Sequence, residues 1–167
     1  MKFKHAFKLA MVGALTAVAL AFAAQAGAAE PTGPETPPPF NLEVILRDVA
    51  GGPGFGHVKF RQPNDADKVV YLGTWVRDLA PDHTYALQRA VDTNLDGDCT
   101  STAWLTLGKG LVAQTITTDN RGTARELLFR SLAAVPTGTQ FDIHFRVIDP
   151  DTGATFLASG CYRFTVR

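Results

Sequence analysis

The sequence predicts an all-β domain, an antiparallel sandwich or barrel of about seven to nine short strands braced by one disulfide. Two observations predict it. From Phe40 to Arg167 the apolar residues fall in short runs, many of them alternating with polar ones, with turn residues between runs, and no run sustains helical spacing. The second is the cysteine count: Cys99 and Cys161 are the only two in the chain, and they stand far apart within that domain.

The elements follow in order. NLEVILRD (41–48) opens the domain, and GGPGFG (51–56) breaks it with four glycines and a proline, a loop between the first two strands. HVKFRQ (57–62) alternates, with Val58 and Phe60 on one face and His57, Lys59 and Arg61 on the other. KVVYLGTWV (68–76) is apolar on both faces, Val69, Tyr71 and Trp75 against Val70, Leu72 and Val76, and therefore reads as a strand covered on both sides. TAWLTL (102–107), LVAQTITT (111–118), ATFLAS (154–159) and CYRFTVR (161–167) are further short strands. QFDIHFRVI (140–148) carries Phe141, Ile143, Phe145 and Val147 on one face. TARELLFRSL (123–132) fits a helix through Ala124, Leu127, Leu128 and Leu132. It also fits a strand through Leu127 and Phe129, and its all-strand surroundings favour the strand.

Ahead of the domain, residues 1–29 have the layout of a secretory signal peptide: Lys2, Lys4 and Lys8, an apolar run, then small residues offering cleavage after Ala26, Ala28 or Ala29. Residues 30–39, EPTGPETPPP, hold five prolines and read as a disordered leader. Residues 40–167 form the β domain, with no later segment apolar enough to span a membrane. The expected location is secreted, periplasmic or cell envelope, where Cys99 and Cys161 should pair. A loop of this length makes that bond worth roughly 4 kcal/mol. After position 29, thirteen basic residues stand against sixteen acids, and the basic ones are scattered along the sequence, an argument against nucleic acid or anionic lipid as partner.

LAPDHTY (79–85) resembles the corner of immunoglobulin-like and fibronectin type III modules through Leu79, Pro81 and Tyr85. The resemblance implies an immunoglobulin-like sandwich in which the Tyr85 hydroxyl bonds back to the backbone across a strand-to-strand corner. It implies nothing about function. The immunoglobulin cysteine–tryptophan–cysteine layout is absent, since Trp75 precedes both cysteines and Trp104 comes five residues after Cys99.

DTNLDGDC (92–99) supports two readings. Asp92, Asn94, Asp96 and Gly97 match positions one, three, five and six of a calcium loop, with Asp98 a further oxygen donor. The bidentate glutamate needed at position twelve is Ala103, and no helix pattern flanks the stretch. The same residues suit a polar turn stapled by Cys99, the favoured reading. No zinc or copper spacing joins His57, His83 and His144, with His57 and His144 read as polar-face residues. No serine lies in a nucleophile elbow and no phosphate-binding loop is present. Trp75, Tyr71 and Tyr162 read as core, and Trp104 as packing on the disulfide loop. The resulting expectation is an exported, non-catalytic binding or structural module with loop-borne recognition of a protein or glycan. A calcium- or carbohydrate-binding accessory module is the alternative, and a cryptic hydrolase the second alternative. A flat aromatic strip on an open sheet would favour the carbohydrate reading.

Overall fold

The structure, a computed structural model, describes residues 41–167. The signal peptide and proline-rich leader expected at 1–39 lie outside the described residues. The strands are β1 (Asn41–Asp48), β2 (Phe55–Arg61), β3 (Val69–Arg77), β4 (Thr84–Asp92), β5 (Leu105–Thr106), β6 (Gly108–Lys109), β7 (Val112–Ala113), β8 (Ile116–Thr117), β9 (Ala124–Ser131), β10 (Gln140–Ile148), β11 (Thr155–Ser159) and β12 (Tyr162–Thr165). Among the described residues there is no helix.

Hydrogen bonding runs along one path, β5-β4-β10-β11-β1-β2-β3-β9-β6-β7, with β12 also on β10 and β8 also on β4. The two ends of that path are drawn together by a single stretch of chain. Leu105 and Thr106 pair with Arg89 and Gln88 of β4, and the Leu107 N–H donates to the Leu87 carbonyl at 2.8 Å. Two residues later Lys109 pairs in parallel with Phe129 of β9, and the Gly110 N–H donates to the Phe129 carbonyl. The result is a mixed sheet of twelve strands, nearly a barrel. This differs from the expected antiparallel array of seven to nine strands, because residues 105–117 divide into four two-residue strands that bridge β4 and β9. Such a bridge leaves few unpaired edges.

Alternation decides what lies inside. Val44 and Leu46 of β1, Val58 and Phe60 of β2, Val70, Leu72 and Val76 of β3, Tyr85 and Leu87 of β4, Leu128 of β9, and Ile143, Phe145 and Val147 of β10 form one buried core. Each fully buried aliphatic or phenyl group of this kind contributes about 1.5–3 kcal/mol. Phe60 meets Phe164 of β12 and Phe145 of β10 with ring centroids 4.6 and 6.3 Å apart, so strands from opposite sides of the sheet pack directly.

Two expectations about facing are corrected here. β3 is covered on its inner side only: Val70, Leu72, Thr74 and Val76 are buried, whereas Tyr71 is 39 % exposed and Trp75 half-buried on the outside. Helices or a second layer would be needed to cover that outer side, and the described residues form neither. In β9 the strand reading holds, but Ala124 and Leu128 point inward, while Leu127 is 57 % exposed.

Two local devices fix the connections. Between β3 and β4 the Ala80 N–H donates to the Tyr85 hydroxyl at 3.1 Å, and Tyr85 itself is fully buried. The Leu79 N–H donates to the Gly122 carbonyl, and a Cβ on Gly122 would stand 2.0 Å from the Leu79 carbonyl oxygen, so only glycine fits there. Along β10, Arg146 pairs with Ala158 but Ile143 with Tyr162, one residue more on the partner side. That bulge at Ser159–Cys161 is made good by side chains: the Phe145 N–H donates to Ser159 Oγ at 2.9 Å, and the Ile45 N–H of β1 donates to the Tyr162 hydroxyl at 3.0 Å.

Candidate functional site

The predicted disulfide is present, Cys99 to Cys161 with Cα atoms 5.3 Å apart. It fastens the 93–104 loop to the bulge before β12. A second fastening was not legible in the sequence. Asp142 of β10, whose side chain is 1 % exposed, accepts the Gly97 N–H at 2.8 Å and both Arg163 Nε and Arg163 Nη2, at 3.0 and 3.2 Å. The paired Arg163 guanidinium, chiefly, holds the Asp142 carboxyl below the usual carboxylate range, and Asp142 in turn raises Arg163. Only strand register brings residues 97, 142 and 163 together.

The loop's own acids are turned toward its own donors. Asp92 accepts the Ser101 N–H at 3.2 Å and the Thr100 hydroxyl at 3.4 Å. Asp96 accepts the Asp98 N–H at 2.9 Å and the Asn94 side-chain amide. Gly97 takes a φ of 85°, which glycine adopts without strain. Among the described residues no three His, Cys, Asp or Glu side chains are grouped as ligands for a metal ion.

The three histidines of the domain go to three places. His83 Nε2 lies 3.0 Å from Asp149, which also accepts the Asp151 and Thr152 N–H groups; these bonds, Thr152 first, lower the Asp149 carboxyl, so the pair ties the Tyr85 corner to the β10–β11 turn. His144, expected on a solvated face, instead lies under Trp104 with ring centroids 4.5 Å apart and reaches the Ser101 carbonyl. Arg146 covers Trp104 at 4.1 Å and donates to Gln88 Oε1 at 2.8 Å. This side of the sheet is thus closed over by its own loop, and Trp104, expected to pack on the disulfide loop, packs instead on His144 and Arg146 of β10.

His57 belongs to the other side, where no described segment covers the outer face of β1, β2, β3 and β9. The register arranges its side chains in cross-strand rows. Arg47, Phe55 and Arg77 form one row; Ile45, His57, Trp75 and Arg125 the next; then Glu43, Lys59, Gly73 and Leu127; then Asn41, Arg61, Tyr71 and Phe129. Arg47 and Arg77 lie over Phe55 at 5.2 and 5.0 Å, and Arg125 over Trp75 at 5.4 Å. His57 Nε2 approaches Glu43 at 2.5 Å and Lys59 Nζ lies 3.5 Å from the same carboxylate.

Gly73 is the low point of this face. It sits in mid-strand between Trp75 and Tyr71, which point the same way about 13 Å apart along an extended strand. Shallow grooves of about 460 and 410 Å³ meet at it, both lined by Lys59, Gly73 and Leu127, one continuing to Trp75 and Arg125, the other to Tyr71 and Arg61. A Cβ added at Gly73 would find its nearest neighbour, Lys59 Cβ, at 3.8 Å, ordinary contact. Packing therefore does not require glycine there; a strand-interior glycine marks a bulge, a tight bend of a barrel or a close approach by a ligand or another chain, and the unbroken register across Gly73 leaves the last two.

The arrangement offers planar or ring-shaped groups the exposed Tyr71 ring and the stacked Trp75–Arg125 pair, with further guanidinium and ammonium donors beside them; among the described residues of this face it brings no nucleophile and base together. Compared with known proteins, the chain matches no family model and shows no significant sequence match to a curated protein.

Proposed function

We propose that the chain is an exported, non-catalytic binding module that takes a glycan chain along the outer face of β1, β2, β3 and β9. The observation that carries this reading is the open strip Tyr71–Gly73–Trp75, two aromatic side chains on one strand face with an unfilled notch between them. Aromatic faces present apolar surface to the C–H faces of sugar rings, and a long shallow groove suits a polymer better than a small enclosed molecule. Recognition is thus assigned to the sheet face and not to the 92–101 loop, whose polar groups are engaged with one another. Export is supported by the basic-then-apolar start of the sequence and by the disulfide. The scaffold is read as immunoglobulin-like in construction, supported by the Ala80–Tyr85 corner bond.

The test is affinity electrophoresis through gels containing neutral or acidic polysaccharides. The wild-type chain should be retarded, whereas Trp75→Ala and Gly73→Leu should lose at least about tenfold in affinity, the scale of an interface anchor, with circular dichroism unchanged. Trp104→Ala, on the closed side, should still be retarded. Free migration of the wild type through every polymer, or retention of both face variants, would overturn the proposal.

A further inference from the structure

We infer that the polymer this face takes is an acidic glycan, one bearing carboxylate or sulfate groups; the inference rests on the glycan reading above. The charges supply it. Of the thirteen basic residues after position 29, five (Arg47, Lys59, Arg61, Arg77 and Arg125) project from this one face, although the same stretch of chain has an excess of acids. Scattered in sequence, they are gathered by register, because β1, β3 and β9 each turn one of them, and β2 two, toward the same side.

Their balance of partners matters as much as their number. Arg77 is paired with Asp78 at the rim, and Lys59 shares Glu43 with His57. Arg47, Arg61 and Arg125 meet no carboxylate among the described residues; Arg47 and Arg125 lie over aromatic rings. Arg125 and Arg61 belong to the two grooves that meet at Gly73, on opposite sides of the notch. An acidic sugar seated in the groove against Trp75 would thus meet the Arg125 guanidinium that lies over that ring, the planar fork best suited to carboxylate and sulfate.

Other occupants fit less well. A second copy docked face to face would set five cations against five, since a two-fold contact apposes a patch to itself. A single-stranded nucleic acid shares the aromatic and cationic chemistry. The disulfide, however, fits a chain made in an oxidising compartment, outside the cytoplasm.

The experiment uses matched polymers: polygalacturonate, its fully methyl-esterified form, which keeps the backbone and loses the charge, and an oligothymidylate. Retention is measured at about 50 mM and about 500 mM salt, where screening separates charge from stacking. The expected result is binding of polygalacturonate at least tenfold tighter than of the ester, weakened at least tenfold by the higher salt. Arg61→Glu and Arg125→Glu should abolish the preference, while Arg121→Glu, an equal charge change on the turn before β9, should keep it. Equal, salt-insensitive binding of acid and ester overturns this inference and leaves the glycan reading standing. Binding of neither overturns this inference, and the glycan reading falls with it only if the chain also migrates freely through every polysaccharide gel. Tighter binding of the oligothymidylate than of polygalacturonate overturns both in favour of a nucleic-acid face.

Discussion

The two sides of the sheet use the same residue types to opposite ends. On the β4–β10 side a tryptophan, an arginine and a histidine are stacked on one another, Arg146 over Trp104 over His144, and their polar atoms reach Gln88 and Ser101. On the β1–β2–β3–β9 side Arg125 lies over Trp75, with His57 directly across from Trp75, and the surface ends there. The first group is consumed by the fold. The second is left facing outward around Gly73. What separates them is a loop: the 93–104 segment, pinned by Cys99–Cys161 and by Asp142, supplies the cover on one side and has no counterpart on the other among the described residues.

That contrast can be broken at its strongest point first. Cys99→Ser with Cys161→Ser should lower stability by about 4 kcal/mol in denaturant titration, while binding at the open face, assayed under native conditions, persists. Loss of binding in a still-folded variant would show that the two sides are not independent. Next, Arg163→Ala leaves the Asp142 carboxylate buried with the Gly97 N–H alone, and should lower the denaturation midpoint, by less than loss of the disulfide does.

The same carboxylates set the acid limit. Asp142 and Asp149 both have folded-state pKa values below their ordinary ones, so the unfolded chain binds more protons in acid, and the stability they contribute is present above the ordinary carboxylate pKa and lost as pH falls through the folded values. The melting temperature should fall on acidification, and Asp142→Asn should flatten that dependence at the price of a lower plateau. A variant with an unchanged slope would remove Asp142 from this account.

Smaller effects sharpen the comparison. Tyr85→Phe strands the Ala80 N–H and should cost about 1–2 kcal/mol by midpoint shift. Gly73→Ala has the opposite expectation. Because the added methyl meets only ordinary contacts, the fold should be unchanged or more stable by about 0.5 kcal/mol, while glycan retention weakens. A destabilised Gly73→Ala would mean that the glycine serves the strand and not the groove.

Much of the fold was legible in the sequence because strand alternation is local: His57 to Arg61 and Phe141 to Val147 announce their faces residue by residue. The disulfide was legible by arithmetic, two cysteines and no other partner. The tyrosine corner was legible from three residues within one short stretch. The open face was not, for a physical reason. A strand such as VVYLGTWV carries apolar groups on both sides whether its outer side is covered or bare, and which applies depends on a loop elsewhere in the chain. The cluster of cations was hidden likewise, since Arg47, Arg61 and Arg125 become neighbours only when β1, β2, β3 and β9 line up. The fastening at Asp142 was hidden because its partners stand 45 and 21 positions away.

The place of β1 in the sheet has a consequence for time as well as for shape. The first strand is flanked by β2, its immediate successor, and by β11, close to the end of the chain, and its Ile45 N–H finds its acceptor on Tyr162, 117 positions later. A chain that emerges amino end first can form the β1–β2–β3 meander early, but one edge of β1 stays bare until nearly the whole domain has appeared. Pairings of such long range are slow to form and leave the early strands open to wrong partners while they wait. The charged outer face of that meander, which carries Arg47, Lys59, Arg61 and Arg77, keeps the waiting strands in water.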